Sequence, residues 1–360
     1  MIDQEHWVWL TRYEKLHHAN PHVQEAKKIA NQAGQAQHAS DYKKAATLFA
    51  QAADIAAKGN LLELELIYTL LSNNLYVEDE NQLLGQAVGL VVKAQRLDND
   101  NFPWYPMFQY NLASVYGSVD PLSYLDEINE IFDLLESGIS YRKDIICRIQ
   151  MTRSQRALQI RDFEMAHHYA SLALEVNPDD AYYHSAACYT KARVYFRQKK
   201  FESALDYLEQ QEIHARKTKI LPNNEAEALF DQGICLIHLK HLDEAEERFK
   251  KSDAIATVHQ VNRHEWTIYA RHIAEQEYDK VLSEVNKLLE NESRFPLRRL
   301  GYLMSKVIVL KLMEQDISET LDETREAAKV FKKPEKYNIW IDAIADGDTH
   351  YYNWHKVDTT

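Results

Sequence analysis

Phe163-Glu-Met-Ala166, Phe201-Glu-Ser-Ala204 and Leu242-Asp-Glu-Ala245 share one pattern, in which a large apolar residue stands three positions before an alanine. The first residues of these stretches are 38 and 41 positions apart, and each opens a segment with the apolar spacing of an amphipathic helix. A supersecondary unit that recurs at such intervals is typical of an α-solenoid, in which helical hairpins stack on their neighbours. The repeat therefore predicts an all-α architecture and a binding scaffold, while it leaves the bound partner open.

Weaker copies extend the repeat in both directions. Tyr42-Lys-Lys-Ala45 precedes Phe163 by 121 residues, which is about three such steps, and Tyr278-Asp-Lys-Val281 follows Leu242 by 36. Terminal repeats need polar outer faces, so we expect a capping element at each end of the array. The expected division is a leading capping helix in 1–20, a repeat domain in 21–335, and a C-terminal capping helix and tail in 336–360.

Composition places the chain among folded proteins and argues against several functions. Hydrophobic residues make up 45% and charged residues 27% of the 360 positions, and 9 Gly and 8 Pro leave few helix breakers. A formal net charge of −13 without a basic stripe is unlike duplex-DNA binders, which neutralise phosphates with Lys and Arg. No stretch approaches the roughly 18 apolar residues of a membrane span, and the acidic N-terminus lacks the apolar run of a signal peptide. We therefore expect a cytoplasmic protein with no nucleic-acid or membrane partner.

Two segments, Tyr182–Ile213 and Glu225–Ile255, resemble tetratricopeptide repeats. That family has small residues at the eighth and twentieth positions of a helix–turn–helix unit and bulky residues at the eleventh and twenty-fourth. The matching small residues are Ala192, Ala204, Gly233 and Ala245, and the matching bulky residues are Tyr195, Leu208, Leu236 and Phe249. The resemblance implies a right-handed α-solenoid of about seven to eight tetratricopeptide-like (TPR-like) helix hairpins. The spacing of 36–41 residues is longer than the family's usual 34 or so.

The longer spacing is similar to that of bacterial cytoplasmic peptide-pheromone receptors of the Rap type. Transcription-factor relatives of those receptors carry an N-terminal effector module ahead of the repeats. In this chain a recognisable repeat is under way by His22, which leaves no room for a helix-turn-helix domain before it. We therefore do not expect a DNA-binding member of that group.

The tetratricopeptide resemblance also implies which residues line a peptide-binding groove. In that family a polar residue at the sixth position of the first helix hydrogen-bonds an extended peptide, and an asparagine amide suits this role because it offers a donor and an acceptor together. In the second hairpin the register leaves Asn73 and Asn74 as alternatives. Arg193 and Arg197 lie one and two turns beyond the sixth position of the fifth hairpin, where a guanidinium can meet a carboxylate. The implied sixth-position residues are Asn31, Asn74, Asn111, Thr152, Thr190 and Asp231.

Motifs for catalysis or metal binding are missing from the sequence. There is no Gly-rich phosphate loop, no Gly-x-Ser-x-Gly elbow and no His-Glu-x-x-His pair. His238 and His241 are three apart, but a metal site needs three or four convergent ligands. The cysteines Cys147, Cys188 and Cys235 are widely spaced in apolar segments, which favours buried free thiols. We expect no metal, no cofactor and no enzymatic activity.

Two functions fit these features, and they belong to different classes. A non-catalytic scaffold or adaptor would present the groove to a peptide segment or to another protein. A peptide-gated regulator would change its superhelical pitch on binding, since small rotations per repeat add along an array. An enzyme is a third class, because catalytic residues from separate helices leave no local motif. The sequence also leaves a homodimer open.

Overall fold

All regular structure in the described part of the chain is helical. The computed structural model describes residues 4–38, 41–75, 80–97, 102–139, 142–218, 222–259, 271–291 and 296–347, and these contain no strand. The chain divides into two compact units, an N-terminal unit of residues 2–145 and a C-terminal unit of residues 146–357. The helices are α1 (Gln4–Leu16), α2 (Pro21–His38), α3 (Tyr42–Lys58), α4 (Leu62–Asn73), α5 (Glu80–Ala94), α6 (Tyr105–Val119), α7 (Leu125–Gly138), α8 (Lys143–Gln159), α9 (Phe163–Val176), α10 (Ala181–Arg197), α11 (Phe201–Thr218), α12 (Pro222–His238), α13 (Leu242–His259), α14 (Tyr278–Asn291), α15 (Pro296–Leu312), α16 (Ser318–Ala328) and α17 (Pro334–Ala345).

Consecutive helices pack as hairpins, as the repeat predicts. Helix α2 packs on α3 in the N-terminal unit, and α10 packs on α11 and α12 on α13 in the C-terminal unit. The apolar residues that mark the repeat are the first residues of second helices; they are Tyr42, Phe163, Phe201, Leu242 and Tyr278. The all-α class and its helical-hairpin repeat are therefore confirmed, and the right-handed twist stays a prediction.

The turns of five hairpins in the described part of the chain share one backbone conformation. In each, a residue adopts a left-handed φ, in four of them two positions before the second helix, and the next N–H donates to the carbonyl five residues back, as His241 does to Leu236 at 2.9 Å. This bond satisfies a carbonyl at the helix end and fixes the direction in which the chain leaves. The left-handed residues, with φ between 57° and 68°, are Arg161, Lys199, Lys240, Gln276 and Glu314.

Small residues of one helix accommodate aromatic rings of its partner. Ala166, Ala204 and Ala245 are each at most 2% exposed. A Cβ atom built on Gly233 would lie only 2.6 Å from the ring of Phe249, so α12 and α13 approach as closely as a glycine permits. The small and bulky positions of the repeat are thus set by the distance between paired helices.

In three hairpins a hydrogen bond joins the two helices at the end away from the turn, and it links the same repeat positions each time. The Cys147 Sγ donates to the Ala173 carbonyl at 3.5 Å in the hairpin α8/α9. Ser185 Oγ donates to the Gln211 carbonyl at 3.2 Å in α10/α11. In α12/α13 the direction is reversed, and Ser252 Oγ donates to the Ala226 carbonyl at 2.5 Å. Each bond joins residues 26 positions apart, so the same two repeat positions meet in each hairpin.

A buried ion pair fixes the end of the N-terminal unit. Arg142 is 1% exposed, and its Nε and Nη2 donate to the two carboxylate oxygens of Asp144 at 3.0 Å each. Its Nη1 donates to the Pro103 carbonyl at 3.0 Å. Nearby, the indole N–H of Trp104 donates to the His6 carbonyl at 3.1 Å, which ties α1 to the segment before α6. Hydrogen bonds to protein acceptors thus replace those that the guanidinium would make to water.

The described helices include none that combines the length and the apolar character needed to cross a bilayer.

Candidate functional site on the first helices

The N-terminal unit brings two of the predicted groove residues together. Asn111 lies on α6 and is 8% exposed, and Asn74 is the exposed residue that caps the C-terminus of α4. The Nδ2 of Asn111 donates to Oδ1 of Asn74 at 2.5 Å. The structure thereby selects Asn74 over Asn73 as the partner of Asn111.

This amide pair keeps most of its hydrogen-bonding capacity. Each amide has one acceptor oxygen and two N–H donors, so the mutual bond leaves Oδ1 of Asn111, its second N–H and the NH₂ group of Asn74 for other partners. Among the described residues neither side chain makes a further hydrogen bond. A donor and an acceptor held side by side match the C=O and N–H groups of a peptide unit.

Further polar residues accompany the pair on α6 and at the end of α4. Ser114 and Ser118 follow Asn111 on α6 at intervals of three and four, which places all three on one side of the helix. Asn73 lies beside Asn74, and its Nδ2 is buried without a hydrogen-bond partner. Sequence reasoning missed Ser114 and Ser118, although their helical spacing from Asn111 was readable. Asn31 is exposed on α2, and no hydrogen bond joins it to the amide pair in the described ranges.

In the C-terminal unit the two predicted threonines are already engaged. The Thr152 hydroxyl donates to the Arg148 carbonyl of its own helix at 2.9 Å, and the Thr190 hydroxyl donates to the Ala186 carbonyl at 3.0 Å. A hydroxyl bonded in this way can only accept a further hydrogen bond. Thr190 is also 2% exposed, so it lies beneath the surface in this state. Thr152 is the more accessible of the two.

The charged residues of the C-terminal unit form a second, chemically different surface. The Arg193 guanidinium lies 5.7 Å from the centre of the Tyr189 ring on α10. Arg197 is on the last turn of α10, and Asp231 is on α12, which contacts α10. All three charged side chains are partly exposed and have further partners within the protein. This face therefore presents cations on one helix and a carboxylate on the next.

A neutral histidine stands on α12 at the repeat position that Arg197 has on α10. The His238 ring stacks on Phe201 with ring centres 4.1 Å apart and planes within 5° of parallel. Burial lowers the pKa of His238 below its usual 6.5, and the charges of Lys240 and Lys199 lower it further. The imidazole is therefore uncharged at neutral pH and adds no cation to the surface.

Three side chains at the turn before α14, His272, Glu275 and Glu277, are grouped closely enough to hold a metal ion. The sequence predicts no metal, and the pair His238 and His241 is not part of this cluster.

Comparison with known proteins adds a likeness of fold. No family model matches the chain, and no curated protein matches it. Among solved structures, the chain is similar to a Rap protein complexed with competence and sporulation factor, with a TM-score of 0.51 and 16% sequence identity. The match covers 92% of this chain and 98% of the Rap chain. It agrees with the helical-repeat architecture and with the resemblance in repeat spacing.

Proposed function

We propose that the protein is a non-catalytic scaffold that binds an extended peptide or a segment of another protein on the first helices of its hairpins. The observation that carries this proposal is the amide pair of Asn74 and Asn111. Its free acceptor and free donors would hold one peptide unit of the bound segment through two hydrogen bonds. Binding through the main chain would let side-chain contacts elsewhere set the sequence preference.

The charged surface of the C-terminal unit would have a ligand preference of its own. A guanidinium binds a carboxylate through two parallel N–H donors, so Arg193 and Arg197 favour an acidic side chain or a C-terminal carboxylate. Asp231 on the neighbouring helix favours a basic group. A ligand that replaced the internal partners of these residues would have to supply the same charges.

The second candidate is a peptide-gated regulator. The likeness of fold to a Rap protein complexed with competence and sporulation factor favours it. In this function the ligand would bind one arrangement of the repeats more tightly than another and shift their populations.

Selection from a random decapeptide library tests the scaffold. The library is panned against the intact protein, and each selected peptide is then measured with Asn111→Ala, Asn74→Ala and the control Asn129→Ala. Asn129 is exposed on α7, which is a second helix, so its loss should not affect the proposed surface. We expect both site variants to weaken binding about 5- to 150-fold, because a lost partner leaves a peptide group unpaired at a cost of about 1–3 kcal/mol.

Two outcomes would contradict the proposal: failure to select any peptide, or equal affinity of the selected peptides for wild type, Asn74→Ala and Asn111→Ala. Asn74 is exposed, so its variant is expected to fold even if Asn111→Ala does not. Small-angle scattering with and without a selected peptide separates the two candidates. An unchanged envelope would argue against a peptide-gated regulator and leave the scaffold standing.

A further inference from the structure

The turn before α14 places an imidazole beside two carboxylates. Residues 271–274 are helical, and Gln276 in the left-handed conformation turns the chain back so that Glu277 meets His272. His272 Nδ1 is 2.8 Å from Glu277 Oε2 and 3.9 Å from Glu275 Oε2. The three ligand atoms lie within 4.8 Å of one another. In a tetrahedral zinc site with bonds of about 2.0–2.1 Å, ligand atoms are about 3.3 Å apart, so the two distances bracket that value.

We propose that His272, Glu275 and Glu277 form a binding site for a divalent transition-metal ion, with zinc as the preferred occupant. Imidazole nitrogen and carboxylate oxygen are both zinc ligands, and three protein ligands leave a fourth position for water. The imidazole disfavours magnesium and calcium, which take oxygen ligands. The side chains are partly buried, with exposures of 18%, 27% and 35%, so their solvation is already reduced. This site is independent of the proposed peptide-binding function.

A metal ion could displace the cations that pair with the two carboxylates at this turn. Glu275 Oε1 accepts a hydrogen bond from Arg271 Nε at 2.8 Å, and Glu277 Oε1 accepts one from Lys280 Nζ at 2.6 Å. Arg271 also lies 3.6 Å from a carboxylate oxygen of Glu246, so it keeps an anionic neighbour when Glu275 turns to a metal. The Lys280 side chain is 59% exposed and would return to water. Displacing these cations therefore leaves no buried charge without a partner.

The repeat offers an internal comparison for this cluster. The same left-handed turn follows α10 and α12, where the residues aligned with His272 are the bulky Tyr195 and Leu236. Those side chains pack in the hydrophobic clusters of their hairpins. Hairpin packing thus favours an apolar residue at this position, and the histidine is not explained by the repeat.

Zinc titration of the full chain tests the site. Isothermal titration calorimetry with ZnCl₂ compares wild type with His272→Ala and Glu277→Gln, and both variants should lose at least about tenfold in affinity at one site. His241→Ala is the matched control, because His241 Nδ1 pairs with Glu244 Oε1 at 3.2 Å and no third ligand joins them among the residues that the structure describes. We expect that variant to retain the site. A tenfold excess of MgCl₂ should not compete.

Cobalt gives an independent readout of the geometry. Co²⁺ bound by the wild type should show the visible absorption of a tetrahedral complex, and His272→Ala should lose it. Circular dichroism at neutral pH verifies that each variant is folded. Unchanged zinc affinity and stoichiometry in both site variants, or an equal loss in His241→Ala, would overturn the proposal. Each result leaves the peptide-binding tests unaffected, because Asn74 and Asn111 belong to the other unit.

Discussion

Replacing Gly233 with alanine should destabilise the C-terminal unit, although alanine is ordinarily the better helix former. Gly233 lies within α12, where a new Cβ would be 2.6 Å from the ring of Phe249. That ring cannot easily move, because Phe230 packs against it with ring centres 4.9 Å apart and the Arg271 guanidinium lies 4.0 Å from its centre. Overpacking of this kind costs about 1–3 kcal/mol, and the higher helix propensity of alanine over glycine offsets about 1 kcal/mol of that cost. We expect a net loss of up to about 2 kcal/mol, because the ring is held on both sides and the overpacking cost should lie near the top of its range.

The matched substitution is Gly85→Ala on α5, where an added Cβ meets nothing within 4 Å. It should stabilise the N-terminal unit by about 0.5–1 kcal/mol, because alanine restricts the unfolded chain. Hydrogen–deuterium exchange follows the opening free energy of each unit separately. In a Phe249→Leu background, Gly233→Ala should become neutral or stabilising. Stabilisation by Gly233→Ala in the native background would refute the argument that helix spacing is set by this contact.

Three further predictions concern the amide pair, the buried ion pair and the histidines. Asn111→Ala should weaken a selected peptide by about 1–3 kcal/mol in fluorescence anisotropy while Asn129→Ala leaves it unchanged. Arg142→Ala should lower the unfolding free energy by about 3–5 kcal/mol in urea titration, because it removes both guanidinium hydrogen bonds from the buried Asp144 carboxylate; a loss below 1 kcal/mol would contradict the buried pairing. Burial lowers the pKa of His238, so the unfolded state binds the proton more readily, and stability should fall as the pH drops through 6.5 toward the folded pKa. The melting temperature of His238→Phe should depend less on pH over this range than that of the wild type.

Much of the fold was predictable because one steric requirement recurs along the chain. A small residue must face a large one wherever two helices of a hairpin approach, and that requirement sets the spacing of Phe163, Phe201 and Leu242. The turns were not predictable as turns, because their left-handed residues include Arg161 and Lys199 instead of glycine. Only the recurrence of the apolar-x-x-Ala pattern every 38–41 residues showed that the chain reverses there.

The two candidate sites could not be read from the sequence for different reasons, which depend on how far apart their residues lie along the chain. Family position alone pointed to Asn111, but its pairing with Asn74 depends on how α4 ends and where α6 packs, and neither can be read locally. The metal cluster was missed although its members are close in sequence, since His272 and Glu277 are only five positions apart. Helical periodicity would put these two on different faces, and they meet because the chain leaves the helix at Gln276. Motif searches that assume a continuous helix overlook such a pair, so the left-handed positions of a repeat are where further ligand clusters should be sought.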